Sequence, residues 1–145
     1  MRFLIDTNIL LYAANRSCRE YPRASQFLRS QLDDLVPFCL TWGVLYEFFR
    51  VATHPGVFPD PLTAAQAFRF VSDLVEEETV TVLQPTGRHH QMLGRTLSEL
   101  PHLAGNIFHD IETAVLAREH GVREIVTADT DFLQFRFLTV TNPML

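Results

Sequence analysis

Short apolar runs alternate with longer amphipathic stretches along the whole chain. Residues 2–5, Arg2-Phe3-Leu4-Ile5, have the length and side-chain types of a buried strand, and the run stops at Asp6 before a second apolar stretch opens at Ile9. The spacing predicts strand, turn, helix. A helix over 22–33, with Pro22 in its first turn, puts Ala24, Phe27, Leu28 and Leu32 on one side. Residues 36–40 read as a second strand, and Thr41 caps a helix over 42–53 that is apolar on most sides. After a loop punctuated by Pro55, Gly56, Pro59 and Pro61, Thr63 and Gln66 stand in capping-box spacing. The helix they open carries Ala64, Ala67, Phe68, Val71, Leu74 and Val75 on its apolar face and ends in the solvated run Glu76-Glu77-Glu78. A third strand over 79–83 and a helix over 87–100 follow, then a loop over 101–105. Asn106 caps the most regular helix, 107–120, which Gly121 closes. Residues 124–127 form a fourth strand, followed by a helical turn through Phe135 and a last strand over 137–140.

Strands that alternate with helices in this way predict an α/β fold. The expected architecture is a three-layer α/β/α sandwich with a parallel sheet of about five strands, joined by right-handed crossovers. With strand order 3-2-1-4-5, the first and fourth strands are neighbours at the switch point, where the ligand crevice of an open sheet lies. No internal repeat or composition shift divides the 145 residues, so 1–145 is read as a single domain.

This topology gathers acids. Asp6 and Asp129 leave the ends of the first and fourth strands, with Asp131 two positions on. Glu47 follows the second strand, on or beside the buried stripe of its helix, and Asp110 lies in the first turn of the helix that enters the fourth strand. Each has an ordinary structural role available as well. Asp6 or Asn8 can cap a helix, Glu47 can pair with Arg50 at i+3, and Asp110 is favoured by the helix dipole. Four or five carboxylates converging on one edge repel one another and call for cations. Oxygen ligands without His or Cys select Mg²⁺ or Mn²⁺. The adjacent His89 and His90 point in different directions on a helix and are not read as a metal pair.

Composition changes the picture little. With 47% hydrophobic and 20% charged residues the chain is expected to fold. Cys18 and Cys39 form neither a metal cluster nor a disulfide framework, which suits a reducing cytoplasm. No apolar stretch is long enough for a bilayer, and Asp6 interrupts the position of a signal-peptide core, so a soluble, unexported protein is expected. The net charge of -5 argues against a nucleic-acid partner only until bound cations are included in the sum. All twelve basic residues are Arg, and a Lys-free chain is read mainly as base-composition bias.

Four segments in order, FLIDTNILLYA around Asp6, VLYEFFRVATHP around Glu47, NIFHDIETAVLAREHG around Asp110 and IVTADTDF around Asp129 and Asp131, resemble PIN-domain ribonucleases. More narrowly, they are similar to the VapC-type toxins of bacterial toxin–antitoxin pairs, over nearly the whole chain. The resemblance implies a PIN-like fold in which Asp6, Glu47, Asp110 and Asp129 are the catalytic acids, Asp131 is an auxiliary acid, and Asn8 and Thr127 are polar supports. Asp6, Asp110 and Asp129 are the implied metal ligands. Asp6 and Asp129 would hold the main Mg²⁺ (Mn²⁺ as an alternative), with Glu47 and Asp110 completing its shell or holding a second ion. The implied chemistry is hydrolysis of cellular RNA, tRNA or rRNA, by a metal-activated water, leaving a 5′-phosphate and a 3′-hydroxyl. The implied partners are a VapB-type antitoxin and a twin subunit; of the chain's twelve Phe, some on the helix after Thr63 would face one or the other, core packing accounting for most. Arg19, Arg23, Arg50 and Arg136 flank the predicted edge and are candidate RNA contacts. Where the family often has a small residue after its third acid, this chain has Ile111 and then Glu112. Roughly 200° round the helix from Asp110, Glu112 is expected outside the site.

A receiver-type signalling domain also sets acids on a sheet edge, but it needs a Lys that this chain lacks. No Gly-rich turn follows the first strand, which removes P-loop and dinucleotide readings. The alternative that stands is a PIN-like module that binds RNA or protein without cutting.

Overall fold

The central strand, Leu4 and its neighbours, is fully buried, and it can be so only if helices cover both faces of the sheet. A computed structural model of the chain describes residues 2–100 and 107–145. Five strands, β1 (Phe3–Ile5), β2 (Phe38–Thr41), β3 (Val80–Leu83), β4 (Glu124–Val126) and β5 (Thr139–Thr141), form one parallel sheet in the order 3-2-1-4-5. The helices are α1 (Thr7–Ala14), α2 (Tyr21–Asp33), α3 (Trp42–Ala52), α4 (Ala64–Val75), α5 (His89–Ser98) and α6 (Ile107–Glu119), with a short 3₁₀ turn over Thr130–Gln134. The expected loop over 101–105 and the cap at Asn106 lie outside the described residues.

The strand order dictates the layers. From β1 the chain steps outward to β2 and β3, then returns to the other side of β1 for β4 and β5. Right-handed crossovers therefore put α1 to α4 on one face and α5 and α6 on the other. The packing agrees: α1 rests on α2 and α3, α3 on α4, and α5 on α6. Leu4 pairs with Cys39 of β2 on one side and Ile125 of β4 on the other. All five strand C-termini share one edge, and because α6 runs back against the strands its first turn faces that edge too.

Local chemistry sets the ends of the elements. Thr41 caps α3 by accepting from the Val44 N–H at 3.0 Å, and Thr63 and Gln66 make a reciprocal capping box on α4. Gly121 ends α6 with φ of 71°, a conformation that suits glycine. The last strand starts two residues later than its β-rich sequence suggests. Phe135 and Leu138 donate backbone bonds to Phe132 and Phe135, holding the preceding segment in a turn, and the Phe137 ring lies 4.3 Å under the Arg118 guanidinium. α5 starts at His89 because residues 86–88 serve the end of α6 instead. Glu119, buried there, accepts from the Thr86 backbone N–H and pairs with His89 Nδ1 at 2.6 Å, while Arg88 donates to its carbonyl at 2.9 Å.

Leu4→Ala removes fully buried volume from the strand paired on both sides, with no exposed neighbour able to fill the space. It is expected to cost about 2–5 kcal/mol, read as a lower urea midpoint with an unchanged slope.

Candidate active site

Asp6 is the first residue beyond β1, and its backbone N–H donates to the Val126 carbonyl at 3.0 Å, so the ends of β1 and β4 are fastened together. Thr127, fully buried just past β4, then acts as a polar hub. Its hydroxyl donates to Asp6 Oδ2 at 2.7 Å and accepts from Asn8 Nδ2 at 3.1 Å and from the Asp129 backbone N–H at 2.9 Å. Asn8 closes the loop by accepting from the Ala128 N–H at 3.1 Å. Asp6 also caps α1, accepting from the Thr7 N–H at 2.8 Å. Both of its oxygens are thus engaged, and the capping role and the edge position are held by one residue.

The remaining acids stand in front of this knot. Asp129 caps the 3₁₀ turn by accepting from the Asp131 N–H at 2.8 Å, which swings Asp131 back beside it. One carboxylate oxygen each from Asp110, Asp129 and Asp131 lies within 4.8 Å of the others. A cavity of about 970 Å³ opens over them, lined by Asp6, Asn8, Glu47, Arg50, Asp110, Asp129 and Asp131 among others. Glu47 reaches it from α3 and is held by Arg50 in a two-pronged pair at 2.5 and 3.1 Å.

The electrostatics follow from burial and crowding. Burial pushes the Asp6 carboxyl up, the bonds from Thr127 and Thr7 work against it, and the charges of Asp129 and Glu47 add to the rise. Asp110 is pushed up to about 7, first by partial burial and then by Asp6, Asp129 and Asp131. The Arg50 guanidinium holds Glu47 below the usual carboxylate range despite some burial. The wall is therefore short of positive charge, and its donor set is all oxygen: a cluster suited to a hard divalent cation.

The chain's candidate residues divide accordingly. Asp110, Asp129 and Asp131 share one cluster with Asp6 packed against it, Glu47 lies on the same cavity tied to Arg50, and Asn8 and Thr127 orient Asp6 and Asp129. Arg19, Arg23 and Arg136 do not line the cavity. Arg23 instead donates to the Met144 carbonyl at 2.7 Å.

Glu112 requires a correction, because it lines the cavity rather than lying outside it. α6 meets the cavity with its N-terminal end, so Ile107, His109, Asp110, Glu112 and Thr113, spread over more than half of the helix's circumference, all reach it. Angular separation from Asp110 excludes a residue only when a helix lies side-on. The Glu112 carboxylate sits over Gly43 in the first turn of α3, where a Cβ would overlap it. Gly43 is the sequence signal for that approach, together with a second acid two positions after Asp110.

An open parallel sheet with carboxylates gathered past its two central strands is the architecture of a PIN-domain protein, and solved structures of that kind match the chain. The VapBC2 structure from Rickettsia felis, bound to a promoter DNA fragment, superposes with a TM-score of 0.70 at 19% identity, covering 98% of each chain. VapC20 of Mycobacterium tuberculosis, described as a sarcin-ricin loop cleaving toxin, gives 0.67 at 15% identity over 90% of this chain and 92% of that one. Among curated proteins, Ribonuclease VapC37 of M. tuberculosis is 33% identical over 140 residues, 97% of this chain and 96% of that protein. Ribonuclease VapC33 from the same species is 30% identical over 139 residues, 96% of each. No family model matches. The chain belongs to the VapC ribonuclease family of toxin–antitoxin PIN-domain proteins.

Two outcomes are expected. The raised Asp110 carboxyl keeps its proton in the folded protein up to about pH 7 but loses it near 3.8 when unfolded, so between those values the native state binds more protons. Metal-free protein should therefore lose stability as pH rises through that window, on the order of 1 kcal/mol after solvent screening of a partly exposed group. Asp110→Asn should flatten the melting temperature against pH, and Mg²⁺ should restore the wild type at high pH. Thr127→Val keeps the shape of the hub but strands the Asp129 N–H and leaves Asp6 Oδ2 only the longer bond from Asn8 Nδ2 at 3.4 Å, and should cost about 1–3 kcal/mol in urea denaturation.

Proposed function

We propose that this protein is a metal-dependent endoribonuclease toxin that hydrolyses phosphodiester bonds in cellular RNA, tRNA or rRNA, and is restrained by a VapB-type antitoxin. The observation that carries it is the convergence of Asp110, Asp129 and Asp131 in front of Asp6 at the end of β1 and β4. The curated relatives named ribonucleases and the VapBC complexes among the structural neighbours support the same reading.

The donor set fits Mg²⁺, or Mn²⁺ in its place: carboxylate oxygens alone, crowded enough to hold a proton on Asp110 near neutral pH. Asp6, Asp110 and Asp129 would hold the ion, with Asp131 beside them. A cation so held supplies Lewis-acid stabilisation of charge at phosphorus and an acidified attacking water. The residues of the chain do the rest. Thr127 and Asn8 fix the directions of Asp6 and Asp129. Asp110 gives up its proton as positive charge arrives, and Glu47 adds a fourth catalytic carboxylate once Arg50 is drawn away to an RNA phosphate. Arg50 is bidentate by nature and stands at the wall, which makes it the favoured phosphate contact. We place the protein in the cytoplasm, where its RNA would be. Among the described residues no helix is long and apolar enough to cross a membrane. Phe68, exposed on α4, is the proposed contact for a twin subunit.

A second reading, a PIN-like module that binds RNA or protein without cutting, is favoured by one observation. Glu47 is already satisfied by an arginine of its own helix. One assay separates the two. Structured RNAs incubated with Mg²⁺ should be cut into 5′-phosphate products, EDTA should abolish cutting, and Asp6→Asn or Asp129→Asn should slow it by on the order of 100-fold. Cutting that survives EDTA or the substitutions would overturn the metal-dependent reading. RNA that stays intact throughout would favour the binding module.

A further inference from the structure

Six carboxylates line the cavity among the described residues, against a single arginine, Arg50, which is spent on Glu47. The whole chain carries -5. A polyanion approaching this wall gains little from phosphate pairing, which ordinarily dominates nucleic-acid affinity. If the site acts on RNA, a held cation and a displaced Arg50 supply few phosphate contacts, and further binding has to come from elsewhere.

The outer side of α3 offers it. Trp42 is 43% exposed and Tyr46 is 71% exposed, with ring centroids 6.4 Å apart and planes tilted by 54°. Exposed aromatics of this size are uncommon on a folded surface. Trp42, Tyr46 and Arg50 follow at four-residue spacing, a single stripe along the helix. Trp42 immediately precedes Gly43 and Tyr46 immediately precedes Glu47, both of which line the cavity, so the aromatic stripe runs along its border and ends at Arg50. On α6, Phe108, 50% exposed, sits between Ile107 and His109, which also line the cavity. Flat aromatic faces beside a phosphate-reactive site suit the faces of unpaired bases, which A-form duplex keeps stacked away.

We propose that Trp42 and Tyr46 form a stacking platform for unpaired nucleobases next to the scissile phosphate, so that the protein selects single-stranded or looped RNA and holds it by base faces. The proposal rests on the ribonuclease reading, whose failure is distinguishable from its own. Trp42 is the only tryptophan in the chain, so its fluorescence reports on the platform alone. The cleavage-blocked Asp129→Asn protein is titrated with oligo(A), with oligo(U), and with the duplex made by annealing them, at several salt concentrations.

The single strands should quench Trp42 with a shallow salt dependence, and the duplex should not. In the same background, Trp42→Ala and Tyr46→Ala should each weaken binding of labelled single strands by roughly tenfold, while Trp42→Phe and Tyr46→Phe retain most of it. With otherwise wild-type protein and Mg²⁺, the alanine variants should raise KM more than they lower kcat. Absent quenching, equal affinity for the duplex, or alanine variants that bind and cut normally would overturn the platform while leaving the nuclease standing. Alanine variants that shift the oligomeric state in sedimentation velocity, or that lose a co-expressed antitoxin with RNA binding intact, would assign the patch to a protein partner and overturn it equally. Quenching by single strands without any cutting by wild-type protein would keep the platform and sink the ribonuclease reading.

Discussion

The hydroxyl of Thr127 is the point on which the site depends. It reaches Asp6, Asn8 and the backbone of Asp129 at once, and so ties the end of the first strand to the end of the fourth across 121 positions of sequence. Parallel pairing alone would fix the two strand ends within the slack of a turn. The added knot removes that slack from the directions in which Asp6 and Asp129 point, and a cluster of like charges needs such a restraint if it is not to splay. The hub is buried, where hydrogen bonds are strong and unmet partners costly.

Given that restraint, the cavity holds its acids under tension. Three carboxylates lie within a few ångströms, a fourth is held by a helix cap and by Thr127, and a fifth is masked by an arginine. The protein relieves this in two ways, by keeping a proton on Asp110 and by spending Arg50 on Glu47. Both are reversible. On the proposed function a cation would replace the proton and an RNA phosphate would compete for the guanidinium, so the groups that stabilise the resting site are those that the reaction would displace.

Much of the fold was legible because its signals are local and repeated. Short apolar strand runs, Thr41 and Thr63 as caps, and Gly121 as a stop each act within one turn of chain, and the alternation of strand and helix then leaves few topologies. The acids at 6, 110 and 129 could be placed on one edge from that topology alone. Glu112 could not, since its reach depends on α6 meeting the cavity end-on, a tertiary angle that no period in the sequence records. Nor could the late start of β5, where aromatic packing of Phe135 and Phe137 and the Arg118 contact override a run of β-favouring residues. The direction of Arg23, toward the chain's end rather than the cavity, is likewise a tertiary fact.

The seam between α5 and α6 differs in kind from the rest of the core. Only Thr96 of α5 is fully buried; Met92, Leu93 and Leu97 pack half-buried against the core, and polar contacts add to them: His89 and Arg88 to Glu119, and Arg118 to Glu99 and Thr96. Such a unit opens at lower free energy than a strand locked on both sides, so its amides should exchange with solvent before those of β1 and β4. Since none of its side chains enters the acid wall, α5 can fray, drift in evolution or carry a fused label while the geometry that matters stays intact.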